Sequence, residues 1–121
     1  MRLQHVSISV PEDGADAARG FYGGLLGLEE RDVPPRLDPQ EFVWFRVGGD
    51  LELHVMLRGA PAHDQRHFCL VVDEGLDELR ARLEQAGVET SDPTEIVGRP
   101  RFFCRDPFGN LVELCRIDAA V

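Results

Sequence analysis

A single order of elements, strand, helix, then hairpin, occurs twice in this chain, and that repetition restricts the folds open to it more than any other feature. In the first half, residues Leu3 to Val10 alternate, with Val6, Ile8 and Val10 on one face and Leu3, His5, Ser7 and Ser9 on the other. Pro11-Glu12-Asp13 ends that strand, and Asp13 is placed to cap a helix whose Ala18, Phe21, Tyr22 and Leu25 recur at helical spacing up to Gly27. Leu28 to Val33 suits a short strand, and Phe42 to Val47 and Leu51 to Leu57 suit a hairpin across Gly48-Gly49-Asp50. In the second half the strand His67 to Val72 leads to a helix marked by Leu76, Leu79, Leu83 and Ala86 and stopped by Gly87. Val88 to Ile96 then suits a short strand broken by Pro93, and Arg101 to Cys115 closes with a second hairpin. His5 and His67 lie 62 positions apart, and Glu52-Leu53 and Glu113-Leu114 lie 61 apart. Two near-equal offsets indicate a duplication. The chain is therefore expected to be α+β, with β-α-β-β-β modules at 1–57 and 67–118 joined by a linker at 58–66.

Strand parity singles out one carboxylate. In Arg101 to Leu114, RFFCRDPFGNLVEL, the segment Asp106-Pro107-Phe108-Gly109-Asn110 has hairpin-turn chemistry, which puts Glu113 in mid-strand. Its same-face neighbours, Leu111 and Cys115, do not make a solvent face. In each half the apolar strand faces must lie under the helix, leaving the opposite faces to line whatever the sheets enclose. Those faces carry His5, Ser7, Phe42, Trp44, Arg46, Glu52, His54, His67, Cys69 and Glu113. This predicts an aromatic-rimmed cleft with nitrogen and oxygen ligands. Imidazoles and carboxylates suit a divalent ion of the iron, manganese, nickel, cobalt or zinc group, and two histidines with one carboxylate leave coordination positions open for substrate. Taken singly, each histidine is an ordinary strand residue and Glu113 an ordinary solvated acid; their recurrence at repeat-related positions makes them a set. Trp44 suits a cleft wall and a subunit interface equally, and His63 falls in the linker.

Composition removes several classes of function. The chain has 121 residues, enough for one domain that buries its own core, and thirteen basic against 22 acidic residues give a net charge of -9. That balance argues against nucleic-acid binding and against an anionic membrane surface. All thirteen basic residues are arginine, so lysine-dependent chemistry is excluded. Cys69, Cys104 and Cys115 are odd in number and lack CxxC spacing, which fits a reducing cytoplasm and packing roles. No apolar run has signal or transmembrane length.

His5 on the opening strand, FYGGLLGLEE, LELHV, HFCLVVDE with its helix, and DPFGNLVEL together resemble the vicinal oxygen chelate superfamily, the glyoxalase I, bleomycin-resistance and extradiol dioxygenase group. The resemblance covers nearly the whole chain and implies a curved sheet around a metal-binding cleft. It also implies that each module gives metal ligands from its first and last strands, which selects His5, His67 and Glu113. The fourth ligand is either Glu52, favoured by the repeat offset, or His54, which shares its face and which a single bulge would substitute. Substrate contacts are then expected from Ser7, Phe42, Trp44, Arg46 and Phe103, and a homodimer from modules that need partners.

The chemistry implied is capture of vicinal substrate oxygens, with Glu52 and Glu113 as candidate proton acceptors in a glyoxalase I-like lyase or isomerase acting on a small oxygenated molecule. A metal-free, bleomycin-resistance-like binding protein is the alternative. Fosfomycin-type thiol transfer resembles this ligand set but surrounds its substrate with cations that include lysine. Extradiol dioxygenases need acid-base groups such as histidine and tyrosine, and the single tyrosine, Tyr22, falls on the core face of the first helix.

Overall fold

Alternation of apolar and polar residues sets the architecture of the computed structural model, which describes residues 1–59 and 65–118. The chain divides into two compact units, Met1–Ala62 and His63–Val121. The linker residues 60–64, His63 among them, lie outside the described residues.

The first unit contains β1 (His5–Val10), α1 (Ala15–Ala18), a π-helical continuation (Arg19–Leu25), β2 (Glu29–Arg31), β3 (Phe42–Gly48) and β4 (Leu51–Leu57). Its sheet has the order β1-β4-β3-β2, with β1 parallel to β4 and the other pairs antiparallel. A parallel pair needs a long crossover, and here the whole module provides it. Ile8, Val10, Val43, Phe45, Leu53, Val55 and Leu57 form the apolar face and are buried together with Ala18, Phe21 and Tyr22 of the helix.

Two details of that helix differ from expectation. Pro11 to Gly14 closes a turn, with the Gly14 N–H donating to the Pro11 carbonyl at 2.9 Å. Asp13 is taken into the turn, and Gly14 occupies the cap position without a side-chain bond. The helix also widens: Leu26 N–H donates to the Phe21 carbonyl and Leu28 N–H to that of Tyr22, both at 2.9 Å, on either side of the left-handed Gly27. Gly20, Gly23 and Gly24 give the backbone little reason to keep a regular α pitch, so burial of Phe21 and Tyr22 decides its path.

The second unit repeats the plan with β5 (His67–Val71), α2 (Leu76–Gln85), β6 (Thr90–Ser91), β7 (Arg101–Arg105) and β8 (Leu111–Cys115). Its sheet order is β5-β8-β7-β6, and β5 runs parallel to β8. Both units thus have the β-α-β-β-β plan expected from the sequence. Helix α2 ends where Val88 N–H donates to Leu83 O and Gly87 N–H to Glu84 O, with Gly87 left-handed at φ 86°. That pair of bonds is a Schellman motif, which requires a residue tolerant of positive φ at this point. The third strand is only Thr90–Ser91, because Pro93 lacks the N–H needed to extend the ladder.

The β7–β8 turn is organised by one buried acid. Asp106 accepts hydrogen bonds from Phe108 N–H at 2.9 Å, Asn110 N–H at 2.8 Å and Asn110 Nδ2 at 2.8 Å. Those bonds hold the connection that delivers Leu111, and hence the strand bearing Glu113, in register. Hydrogen bonds to a charged acceptor contribute about 1.5–3 kcal/mol each, but they share one desolvation cost. Asp106→Ala is expected to lower unfolding stability by about 2–3 kcal/mol, read as a shift of the urea midpoint at unchanged m. A change within about 0.5 kcal/mol would show that the turn does not depend on this acid.

Candidate functional site

Opposite the apolar face, each sheet presents a histidine, an aromatic ring, a carboxylate and an arginine. In the first unit the residues come from β1, β4 and β3, whose register pairs His5 with Glu52, Ser7 with His54, Trp44 with His54 and Arg46 with Glu52. The His54 ring is sandwiched, stacking on His5 at 4.3 Å and on Trp44 at 3.6 Å between centroids. Phe42 meets Trp44 edge-on at 6.4 Å, and the Arg31 guanidinium lies 5.6 Å from the Trp44 ring centre. Ser7 and Arg46 lie exposed on the same face.

Glu52 is the electrostatic centre of this group. It receives His54 Nε2 at 3.0 Å and Gln4 Nε2 at 3.4 Å on one oxygen, and Arg31 at 2.6 Å on the other. The His54 hydrogen bond, with those from Arg31 and Gln4, outweighs desolvation and lowers the carboxyl from 4.5 to about 2. The ionised carboxylate only accepts, so His54 donates from Nε2, and its Nδ1 is the ring nitrogen left to act as a ligand.

In the second unit, β5 and β8 pair His67 with Leu111, Cys69 with Glu113 and Val71 with Cys115. Glu113 is 6% exposed, so the carboxylate that parity singled out is indeed buried. Its Oε1 meets His67 Nε2 at 3.1 Å and Arg101 at 3.4 Å. Phe103, register partner of Glu113, packs edge-on against His67 at 5.0 Å, and Arg101 stands 5.8 Å from its ring centre.

Register bears on the choice between Glu52 and His54. His67 pairs with Leu111, and Glu113 lies two residues beyond; His5 pairs with Glu52, and His54 lies two residues beyond. Across the hairpins, Trp44 pairs with His54 as Phe103 pairs with Glu113. In the sheets, therefore, His54 is the counterpart of Glu113, and Glu52 is that of Leu111. The sequence offset aligned Glu52 with Glu113 because the first module is three residues longer between its opening strand and its hairpin: Trp44 follows His5 by 39 positions, and Phe103 follows His67 by 36.

The donor chemistry suits a divalent ion. Two cis ligands at about 2.1 Å from a metal lie about 3.0 Å apart. His67 Nε2 and Glu113 Oε1 at 3.1 Å already have that spacing, whereas the 3.0 Å contact between His54 Nε2 and Glu52 is the hydrogen bond that leaves His54 Nδ1 as the ligand atom. Three features escaped the sequence reading. Arg31 and Arg101 clamp the two carboxylates, and nothing in a single sequence pairs them. The sequence suggests packing roles for Cys69 and Cys115, yet their sulfurs and a Glu113 carboxylate oxygen lie within 4.8 Å of one another and form a possible metal-holding group. Parity did carry that signal, since each cysteine is two residues from His67 or Glu113. Among the described residues, no helix is long and apolar enough to cross a membrane.

Paired modules of this topology, each presenting imidazole and carboxylate opposite its helix-packed face, define the class. The chain belongs to the glyoxalase/bleomycin resistance protein/dioxygenase superfamily, whose model matches residues 2–114. A glyoxalase family protein from Bacillus anthracis is 30% identical, with a TM-score of 0.85 over 97% of this chain and 95% of that one. Two more distant structures share the fold. A lactoylglutathione lyase from Agrobacterium tumefaciens has 24% identity and a TM-score of 0.71 over 95% of this chain and 92% of its own. An antibiotic binding protein from Streptomyces sp. CB03234 has 23% identity and a TM-score of 0.73 over 97% and 96%. No curated protein matches the sequence.

Because the Glu52 carboxyl is lowered in the folded state, its contribution to stability is fully present above about pH 4.5 and is lost as pH falls toward about 2. In metal-free protein, the stability difference between wild type and Glu52→Gln is expected to shrink steadily across that window. Urea midpoints measured at a series of pH values check this, and a difference independent of pH would refute it.

Proposed function

We propose that the protein is a divalent-metal-dependent enzyme of the vicinal oxygen chelate type, a glyoxalase I-like lyase or isomerase acting on a small oxygenated substrate. The observation that carries this reading is the pairing of His67 Nε2 with a Glu113 carboxylate oxygen at cis-ligand spacing on the polar face of the second sheet. The proposed metal donors are His5 and His54 in the first module and His67 and Glu113 in the second, with nickel, cobalt, manganese, iron or zinc as the ion. When bound, such an ion supplies Lewis acidity toward substrate oxygens. Glu52 then orients His54 through the ring nitrogen opposite the metal, as acidic partners of metal-binding histidines commonly do.

Glu113 takes the proton alpha to the substrate carbonyl. Glu52, at about 2 and hydrogen-bonded on both oxygens, is a poor proton acceptor near neutral pH. Trp44, Phe42 and Phe103 supply apolar contact, while Ser7 and Arg46 offer a hydroxyl and a cation to substrate oxygens. Tyr22 is fully buried against Phe21 and Phe45, which removes the tyrosine that a dioxygenase reading would use. The absence of lysine argues against fosfomycin-type transfer.

A metal-free binding protein is the second reading, favoured by the His5–His54–Trp44 stack and by the buried Trp44 Nε1, which has no hydrogen-bond partner among the described residues. A flat aromatic ligand with an acceptor group would satisfy both features.

Metal content and turnover separate the two. Protein loaded with each of the five metals is expected to hold near-stoichiometric ion and to convert one class among α-keto aldehydes, epoxides and catechols. His67→Ala and His54→Ala should weaken metal binding by orders of magnitude, and Glu52→Gln by about 10–100-fold. Glu113→Gln should cost turnover about 10²–10⁴-fold. Failure of the wild type to take up any of the five metals would overturn the enzymatic reading. Equal losses in Glu52→Gln and His54→Ala would make Glu52 a direct ligand.

The edge strands β1, β2, β5 and β6 of the two sheets, which need cover or partners, support a homodimer as the working assembly. Sedimentation equilibrium is expected to give twice the mass of 13.5 kDa, and a monomer at all usable concentrations would refute it.

A further inference from the structure

We propose that the second module carries a separate binding site for a thiophilic divalent cation, such as zinc or cadmium, formed by Cys69, Cys115 and Glu113. Its geometry is contained within one sheet face. Cys69 on β5 pairs with Glu113 on β8, and Cys115 is the next residue of β8 on the same face. The two sulfurs are 3.4 Å apart, and the three ligand atoms lie within 4.8 Å of one another. Around a tetrahedral zinc with bonds of about 2.3 Å, two thiolate sulfurs sit about 3.8 Å apart. An opening of a few tenths of an ångström therefore admits the ion, and exposed Cys69 supplies that movement.

The donor set is unlike the one proposed for the enzyme. Two thiolates select zinc, cadmium or other soft ions over manganese and magnesium, whereas imidazole and carboxylate donors show no such preference. Three protein ligands leave the fourth tetrahedral position to water or to another donor. The first module has no equivalent, because the positions matching Cys69 and Cys115 in the sheet are Ser7 and Met56. Cys104 points to the opposite face of β7 and takes no part. Both thiols are free, and binding as thiolates displaces their protons, so uptake is coupled to pH. Glu113 belongs to both donor sets, and a soft ion at the cysteines withdraws it from the proposed catalytic role.

The test uses reduced, full-length protein titrated with cadmium and, as a spectroscopic probe, cobalt(II). The expected result is about one ion per chain, a thiolate-to-metal charge-transfer absorption, and release of about two protons per ion. Cys69→Ser, chosen because this residue is exposed, should abolish the absorption and weaken cadmium on the order of a hundredfold; Cys104→Ser should change neither. Absence of the absorption in wild type, or its persistence in Cys69→Ser, overturns the site. The two metal proposals fail separately. His5→Ala and His54→Ala, which remove donors of the proposed enzyme, should keep the cadmium–thiolate absorption. Wild-type protein that shows the absorption, but whose uptake of nickel, cobalt, manganese, iron and zinc is unchanged by His5→Ala and His54→Ala, sinks the enzymatic reading alone; uptake that those variants lose, with no thiolate absorption in the wild type, sinks the soft-ion site alone.

Discussion

Everything at the candidate site depends on parallel pairing between the first and last strands of each module. Pairing β1 with β4 and β5 with β8 brings together residues 47 and 44 positions apart and aligns their faces for the whole length of the ladder. A slip of one residue would send Glu113 into the apolar layer and Val112 onto the polar face. Burial of Val112, Leu114, Phe102 and Leu83 on the helix side makes such a slip very costly, because several large side chains would lose their cover together. The apolar core thus fixes the polar constellation without touching it.

Carboxylates on that face are held at a cost that local cations offset. The chain is strongly acidic, and burying Glu113 and most of Glu52 adds desolvation to repulsion. Arg31 answers for Glu52 and Arg101 for Glu113, but from different places, the edge strand β2 in one module and the inner strand β7 in the other. Duplicated topology has therefore not produced duplicated electrostatics. In the first module the carboxylate is tied at both oxygens, with a histidine between it and the rest of the face. In the second the carboxylate itself occupies the position which that histidine holds.

Parity made most of this legible from sequence. The alternation in LQHVSISV, LELHVML and NLVELC placed His5, His54 and Glu113 on the polar faces, and burial agrees for Glu113 and for the apolar residues between them. What alternation cannot give is register, because it repeats every two residues and is blind to a shift by two. That blindness is why parity alone could not separate Glu52 from His54; the Glu-Leu offset of 61 favoured Glu52, whereas the ladders place His54 at the position equivalent to Glu113. The helix start failed for another reason: Asp13 has the right chemistry to cap, but Pro11 commits the chain to a turn that Gly14 completes. Side-chain clamps between distant strands, such as Arg31 with Glu52, have no local signature at all.

Divergence between the two copies is where specific chemistry enters. Equivalent sheet positions hold His54 and Glu113, Ser7 and Cys69, Met56 and Cys115, Trp44 and Phe103. The first copy has moved toward stacked rings with a firmly ionised acid behind them, an arrangement suited to holding a ligand and a metal donor still. The second has gathered the protonatable groups, a buried carboxylate flanked by imidazole, guanidinium and two thiols. Glu52 is hydrogen-bonded on both oxygens, whereas Glu113 meets His67 and Arg101 at Oε1 and has two sulfurs nearby. The same crowding exposes it to capture by a soft cation. The carboxylate proposed to serve the enzyme's ion is thus also one of the donors proposed for the soft cation, and under that proposal the sulfurs of Cys69 and Cys115 decide which cations compete for it.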